Sequence, residues 1–346
     1  MSFVPLRTKD FFLYQNQEEK MKKKLILSLL AIMLCTGCSS KTQKSDALGA
    51  DKNEKEYKIG IVQFIDHLSL EQARLGFEDA LKEEGIVAKI ELQNENGDMS
   101  LTTQIPKKFQ ADKVDLIYAL ATPAAQGAVN SVKDIPIVFA AVTDPVGAGL
   151  VKTLDKPGAN VTGVTDYVAA KDQVSEFLKL YPNAKRFGVI YNTSESNSDV
   201  QLQELKKNFA QMGLEIYAVG VTTTNDVGQA VASIKGKVDA LFALTDNTVA
   251  SAAPIVAEFL NKNKIPSISA EEGQVEKGLL MSRGISYYEH GKLAGKQAAK
   301  ILKGEDPSSL PVAKHTDMVK KINEKAAKAL GLDLNDEFFK GAEIVK

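Results

Sequence analysis

The chain has 346 residues, 44% of them hydrophobic and 25% charged, the proportions of an ordinary globular protein and not of a collagen, a coiled coil or a disordered chain. Its 43 Lys and Arg stand against 44 Asp and Glu, without the basic excess that a grip on phosphate backbones needs, so no nucleic-acid partner is expected. Its two cysteines, Cys35 and Cys38, are followed by 308 residues with none, which leaves the folded body neither a disulfide framework nor a thiol nucleophile.

In chain order, the first feature is an address. Met21-Lys22-Lys23-Lys24 leads into ten apolar or small residues, Leu25 to Leu34, and then into Cys35-Thr36-Gly37-Cys38-Ser39-Ser40. That is the charged start, short apolar stretch and small-residue cleavage site of a signal peptide. A bilayer-spanning helix needs about 20 apolar residues, so the stretch is too short for a mature anchor. Residues 1–20 then read as an over-extended start, 21–37 as the signal peptide and 38–56 as a polar, flexible tether. Thr36-Gly37-Cys38 resembles a bacterial lipobox, with Cys35 where a leucine is usual. The resemblance implies lipidation of Cys38, whose acyl chains would hold the body at a membrane surface without inserting it. Without residues 1–37 the formal charge becomes −4.

From Tyr57 onward short apolar runs alternate with helical patterns. Ile59 to Ile65 reads as a strand; Leu70, Ala73, Phe77, Ala80 and Leu81 recur at helical spacing; Gly85 ends that helix and Val87 to Leu92 is the next strand. Further strands are expected at Leu116–Leu120, Ile135–Val142, Phe187–Tyr191, Leu214–Val221, Ala240–Leu244 and Ile265–Ile268, with helices between them. This alternation means α/β architecture with parallel sheets covered on both faces. A weak repeat divides it: Val114-Asp115-Leu116-Ile117-Tyr118 lines up with Val238-Asp239-Ala240-Leu241-Phe242, and each copy is followed by a helix and an Ile-Pro step, Ile135-Pro136 and Ile265-Pro266. Two doubly wound, Rossmann-like lobes fit this better than one sheet.

In such sheets ligands lie beyond the carboxyl ends of the strands. The polar residues there are Gln63, Asp66, His67 and Ser69 after the first strand, Thr122 and Pro123 after Leu120, Thr143 and Asp144 after Val142, Asn192 to Ser198 after Tyr191, and Thr245, Asp246, Asn247 and Thr248 after Leu244. Each could equally cap the helix that follows. Catalytic and cofactor signatures are missing. Gly147-Ala148-Gly149 lacks the third glycine of a dinucleotide loop, Gly291 to Lys296 lacks the spacing of a P-loop, and no Gly-x-Ser-x-Gly elbow occurs. His67, His290 and His315 have no ligand-spaced neighbours, so no metal and no cofactor is expected.

Together, the lipobox, the repeated halves and the cleft residues resemble the substrate-binding lipoproteins of bacterial ABC importers. The tryptophan/tyrosine type is resembled through Ala121-Thr122-Pro123-Ala124-Ala125-Gln126, Ala141-Val142-Thr143-Asp144-Pro145, Asn160-Val161-Thr162-Gly163-Val164, Ser194-Glu195-Ser196-Asn197-Ser198, Asp246-Asn247-Thr248 and the stretch Tyr288 to Gly304. The resemblance covers about residues 57–335. It implies a type I periplasmic-binding-protein-like fold, with residues 57–165 and 287–310 in one lobe and 166–286 and 311–346 in the other. It also implies a non-enzymatic, monomeric protein that closes over a small amino acid, aromatic in kind, and delivers it to a membrane permease.

A zwitterion needs donors for its carboxylate and an acceptor for its ammonium. Pro123, at a favoured first helical position, leaves backbone N–H groups at Thr122 and Ala124 for the carboxylate, and Glu195, Asn197 and Ser198 belong to a second polar set. Asp246 is the first choice for the ammonium and Asp144 the second; Asp246→Ala is then expected to weaken binding without unfolding the protein. Gln63, Phe64 and Tyr167 could line the side-chain pocket, with His67 at its rim. A sensor signalling to a membrane receptor and a secreted hydrolase on the same scaffold are the competing functions.

Overall fold

A computed structural model describes residues 55–346; the expected start, signal peptide, Cys38 and nearly all of the tether lie outside the described residues. The elements of the first half are β1 (Tyr57–Gln63), α1 (Leu68–Glu83), β2 (Ala88–Asn94), α2 (Leu101–Ala111), β3 (Leu116–Leu120), α3 (Thr122–Ser131), β4 (Ile137–Val142) and β5 (Val161–Thr165). The second half contains α4 (Ala170–Leu180), β6 (Arg186–Asn192), α5 (Ser196–Met212), β7 (Glu215–Val221), α6 (Val227–Ser233), β8 (Ala240–Ala243), α7 (Asn247–Ser251), α8 (Ala253–Lys262), β9 (Ser267–Ser269), α9 (Glu272–Glu276) and β10 (Met281–Gly284). The chain ends with α10 (Tyr287–Leu302), β11 (Ala313–Lys314), β12 (Val319–Asn323), α11 (Glu324–Ala329) and β13 (Glu343–Val345).

These strands build two sheets, ordered β11-β5-β4-β3-β1-β2 and β13-β12-β10-β9-β8-β6-β7. Pairing is parallel except between β10 and β12. Every residue of β3 is buried, which is why it reads as an unbroken apolar run: a parallel strand is covered on both faces. On one face the Phe109 ring of α2 presses onto Gly60, where a Cβ would come within 2.5 Å of it. Elsewhere in the same core Phe77 of α1 stacks on Tyr118 of β3 with centroids 3.8 Å apart.

The sequence repeat has a structural cause. The Asp115 carboxylate accepts the backbone N–H of Lys58 at 2.7 Å, and Asp239, its counterpart, accepts those of Lys185 and Arg186 at 3.0 and 2.9 Å. In each half an aspartate at the start of the third strand pins the start of the first, satisfying N–H groups that the ladder leaves open.

Helix α10 follows the second half in sequence yet packs on α1 of the first. Small residues permit this: a Cβ on Gly76 would overlap the Tyr288 carbonyl, and one on Gly291 would overlap that of Ala73. The chain then adds Ala313–Lys314 to β5, which corrects the expected boundary after residue 310, since the first sheet keeps the chain through Lys314. A two-residue strand carries no period to read; the open edge of β5 recruits it. Strands β12 and β13, also unforeseen, close the second sheet. Three crossings therefore join the sheets: after Thr165, before Tyr287 and after Lys314.

Candidate ligand-binding site

The carboxyl ends of both sheets converge on one cleft. At its first-lobe wall two non-glycine residues adopt positive φ, Ala121 at 82° after β3 and Ala141 at 56° in β4, a region that side chains rarely occupy and that clusters at functional sites. The Ala141 N–H donates to His290 Nε2 at 2.9 Å. The turn at Ala121 starts α3 with Thr122 and Pro123 in its first turn. Thr122 is buried with its hydroxyl unpartnered, and Ala124 is fully buried beside it. The expected helix starts at Thr122, with Pro123 in its first turn.

On the second-lobe wall the polar residues of the two expected segments hold one another. Glu195 is 1% exposed and accepts the backbone N–H groups of Asn247 and Thr248 at 3.1 and 3.0 Å and their side chains at 2.6 and 2.8 Å. Asp246 accepts Asn192 N–H at 2.5 Å, the Ser198 hydroxyl at 2.7 Å and, as N-cap of α7, Val249 N–H at 2.8 Å. Burial, reinforced by the nearby Glu195 charge, pushes the Asp246 carboxyl above the usual carboxylate range. Asn197 donates to the Thr245 carbonyl at 2.9 Å and keeps its own carbonyl oxygen unpartnered.

The walls touch. Thr143 Oγ1 lies 3.1 Å from Thr245 Oγ1, Ser196 Oγ 3.4 Å from Gln126 Oε1, and His67 Nε2 3.1 Å from Asn247 Oδ1. An amide oxygen only accepts, so His67 Nε2 carries the proton and its buried, unpartnered Nδ1 is an acceptor. Burial lowers the pKa of this imidazole, which keeps it neutral.

Some expected residues serve other ends. Phe64 is 1% exposed within the first-lobe core. Asp144 caps its own turn by accepting Gly147 N–H at 2.8 Å. Tyr167 is half exposed and its hydroxyl meets Glu204 at 3.0 Å, while exposed Ser194 donates its N–H to the Asn192 side chain at 2.8 Å. Gln63 is buried and donates to Asp66 Oδ1 at 2.8 Å, leaving its own oxygen free.

Of four further residues, Ser69 belongs to the polar strand-end set read from the sequence, whereas Asp166, Glu271 and Gln274 were not foreseen. Ser69, Asp166, Glu271 and Gln274 are each at most 5% exposed and each keeps a buried polar atom without a partner. With Gln63, His67, Thr122 and Asn197 they form a set of free polar atoms at strand ends and crossings. Folded proteins leave few such groups unpaired; among the described residues Glu95, Gln173, Ser282, His290 and His315 keep further ones. Burial pushes the Glu271 carboxyl up to about 8 and raises that of Asp166. The signal for Glu271 was available, since it follows β9 as Asp144 follows β4, although Ser267-Ile268-Ser269 is too short to draw attention to its end. Beside His67 a cavity of about 540 Å³ opens between Leu68 and Arg74 of the first lobe and Ala250, Pro254 and Lys277 of the second, within the range of small-molecule sites. Among the described residues no cluster of three or more His, Cys, Asp or Glu is placed to hold a metal ion.

Two α/β lobes, joined by three crossings and meeting over a buried polar cleft, define a solute-binding protein of type I periplasmic fold. The chain belongs to the ABC transporter substrate binding protein family, whose match spans residues 58–346. It is 43% identical over 324 residues to a tyrosine-binding protein of Clostridioides difficile, covering 91% of this chain and 93% of that one. Among solved structures it is similar to an ABC domain from Streptococcus pneumoniae in complex with L-Trp, with 38% identity, TM-score 0.80, and coverage of 84% of this chain and 100% of the other. A substrate-binding protein with adhesive properties from Clostridium difficile, in a ligand-free, open structure, shares 46% identity over 84% of this chain and 99% of its own, at a TM-score of 0.64. That structure is open, whereas the lobes here are in contact. Substrate-binding proteins of ABC transporters work outside the cytoplasm, and among the described residues no helix is long and apolar enough to cross a membrane.

Proposed function

We propose that the protein binds an aromatic amino acid, tyrosine or tryptophan, by closure of its lobes and hands it unchanged to a membrane permease. In this reading it acts as a monomer tethered to the outer face of the cell membrane through lipid on Cys38. The observation that carries the reading is the set of buried, unpartnered polar atoms drawn from both lobes, the hydroxyl of Thr122 and the amide oxygen of Asn197 among them. A solute that supplies their partners binds the closed form more tightly than the open one, and that difference drives closure. The names of the relatives favour an aromatic cargo. The helix start at Thr122 to Ala124 offers N–H donors to the carboxylate, and neutral His67 offers an acceptor at the mouth.

Thermal denaturation of the purified protein against the twenty amino acids and a sugar panel tests this, because a ligand at a hundredfold its Kd stabilises by about 2.7 kcal/mol. A shift with tyrosine or tryptophan and none with aliphatic amino acids or sugars is expected. A shift confined to another solute replaces the cargo. For the anchor, Cys38→Ala is expected to move the protein from the membrane fraction to the medium.

A further inference from the structure

An ammonium held in a closed cleft needs acceptors, and Asp246 has none to spare: its two oxygens serve Asn192, Ser198 and Val249. Among the described residues three other buried carboxyls keep an unpartnered oxygen: Glu95, just past β2 in the first lobe, with no charged group beside it, and two more that lie at the crossing and in the second lobe. Asp166, on the first crossing, is 5% exposed; its Oδ2 accepts the Tyr287 hydroxyl at 2.9 Å and its Oδ1 has no partner. Glu271, immediately before α9, is 3% exposed with Oε1 unpartnered. Tyr287 links their surroundings, since its backbone N–H donates at 2.7 Å to Glu272, the neighbour of Glu271.

The charged and titratable groups facing this pair supply no cation. His67 is kept neutral by burial. Glu272 is paired with Lys321 at 2.9 Å, and Lys321 is shared with Glu276 at 2.6 Å. Glu195 is occupied by Asn247 and Thr248, Asp66 by Gln63 and Asn94. Among the described residues no salt bridge reaches Asp166 or Glu271. Two acids desolvated together without a cation oppose closure of the empty cleft. An ammonium has three N–H donors and matches two carboxylate oxygens plus a third acceptor; Ser69 and Gln274 lie within hydrogen-bonding reach of the Glu271 carboxyl, and the Gln274 side-chain oxygen has no partner.

Building on the amino-acid reading above, we propose that Asp166 and Glu271 together receive the primary ammonium of the ligand, so that the amino group, and not the aromatic ring alone, licenses closure. One acceptor comes from the crossing and one from the second lobe, so the ammonium bridges parts that separate when the cleft opens.

The test is calorimetry with tyrosine and with its desamino analogue, 3-(4-hydroxyphenyl)propionate, on the wild type, Asp166→Asn and Glu271→Gln. Charge-assisted hydrogen bonds are worth about 1.5–3 kcal/mol, so each variant is expected to lose about 10- to 100-fold in affinity for tyrosine and to keep its affinity for the analogue. Equal losses for both ligands would mark the residues as structural and overturn the proposal, as would unchanged tyrosine binding. A wild type that binds neither tyrosine nor tryptophan removes the amino-acid reading itself, and this proposal with it. Should a variant fail to fold, a crystal structure of the wild-type complex decides: the nitrogen is expected about 3 Å from Asp166 Oδ1 and Glu271 Oε1, and an ammonium placed elsewhere refutes the assignment.

Discussion

Gly273 of the second lobe sits against Ser69 of the first so closely that a Cβ on it would overlap the Ser69 hydroxyl oxygen and come within 2.9 Å of its backbone nitrogen. The contact lies where α9 and α1 begin, so space for it is needed only when the lobes close. Gly273→Val is therefore expected to hold the cleft ajar. Small-angle scattering should show a larger radius of gyration with saturating ligand than for the wild type, and affinity should fall at least about tenfold, the equivalent of 1.4 kcal/mol. Unchanged closure would mean that the two helix starts slide past each other.

Asp246→Ala removes the cap of α7 and leaves the N–H groups of Asn192 and Val249 and the hydroxyl of Ser198 short of an acceptor. The expected result is a loss of about 2 kcal/mol in stability, read by chemical denaturation. The expectation from the sequence, weakened binding without unfolding, would require the carboxylate to be free for a ligand.

The Glu271 carboxyl gives the empty protein a pH dependence. In the closed form burial pushes it up to about 8, whereas exposed in an open form it would lose its proton near the ordinary glutamate value of about 4.3. Between these limits the closed form binds more protons, so lowering the pH favours closure and the effect saturates once both forms are protonated. An interlobe fluorescence pair on ligand-free protein is expected to report closure as the pH falls from 9 to 5. Opening over that range would contradict the assignment.

Acid stability should depend on Asp239. Its hydrogen bonds with the Arg186 side chain, outweighing partial burial, hold the carboxyl at about 2. A depressed value stabilises the fold above the ordinary aspartate pKa and loses that contribution as the pH falls towards 2. Asp239→Asn is thus expected to lower the Tm at pH 7 and to differ little from the wild type near pH 2. A difference that persists at low pH would assign the effect to lost geometry, not charge.

The central strands were legible because parallel strands buried on both faces must be apolar along their length, as at Leu116–Leu120 and Ala240–Ala243. The strands added by the C-terminal segment were not. Val319–Asn323 carries Lys320 and Lys321, and Ala313–Lys314 is too short to show a period; both are strands because a neighbouring edge offers hydrogen bonds. Of the expected site residues, Thr122, Thr143 and Asn197 stand at the cleft, while Phe64 fills the first-lobe core.

By itself the sequence determined the α/β class, the division into two repeated halves and the strand ends, since these follow from short-range periodicity and the burial of parallel sheets. Tertiary structure alone decided which carboxylates are free. Asp246 and Glu271 both lie just beyond a strand, yet Asp246 meets Asn192, 54 residues away, while Glu271 is left with an unpartnered oxygen. A carboxylate becomes a cap or a receptor according to the donors that the rest of the chain folds against it, and those lie beyond the reach of any local pattern.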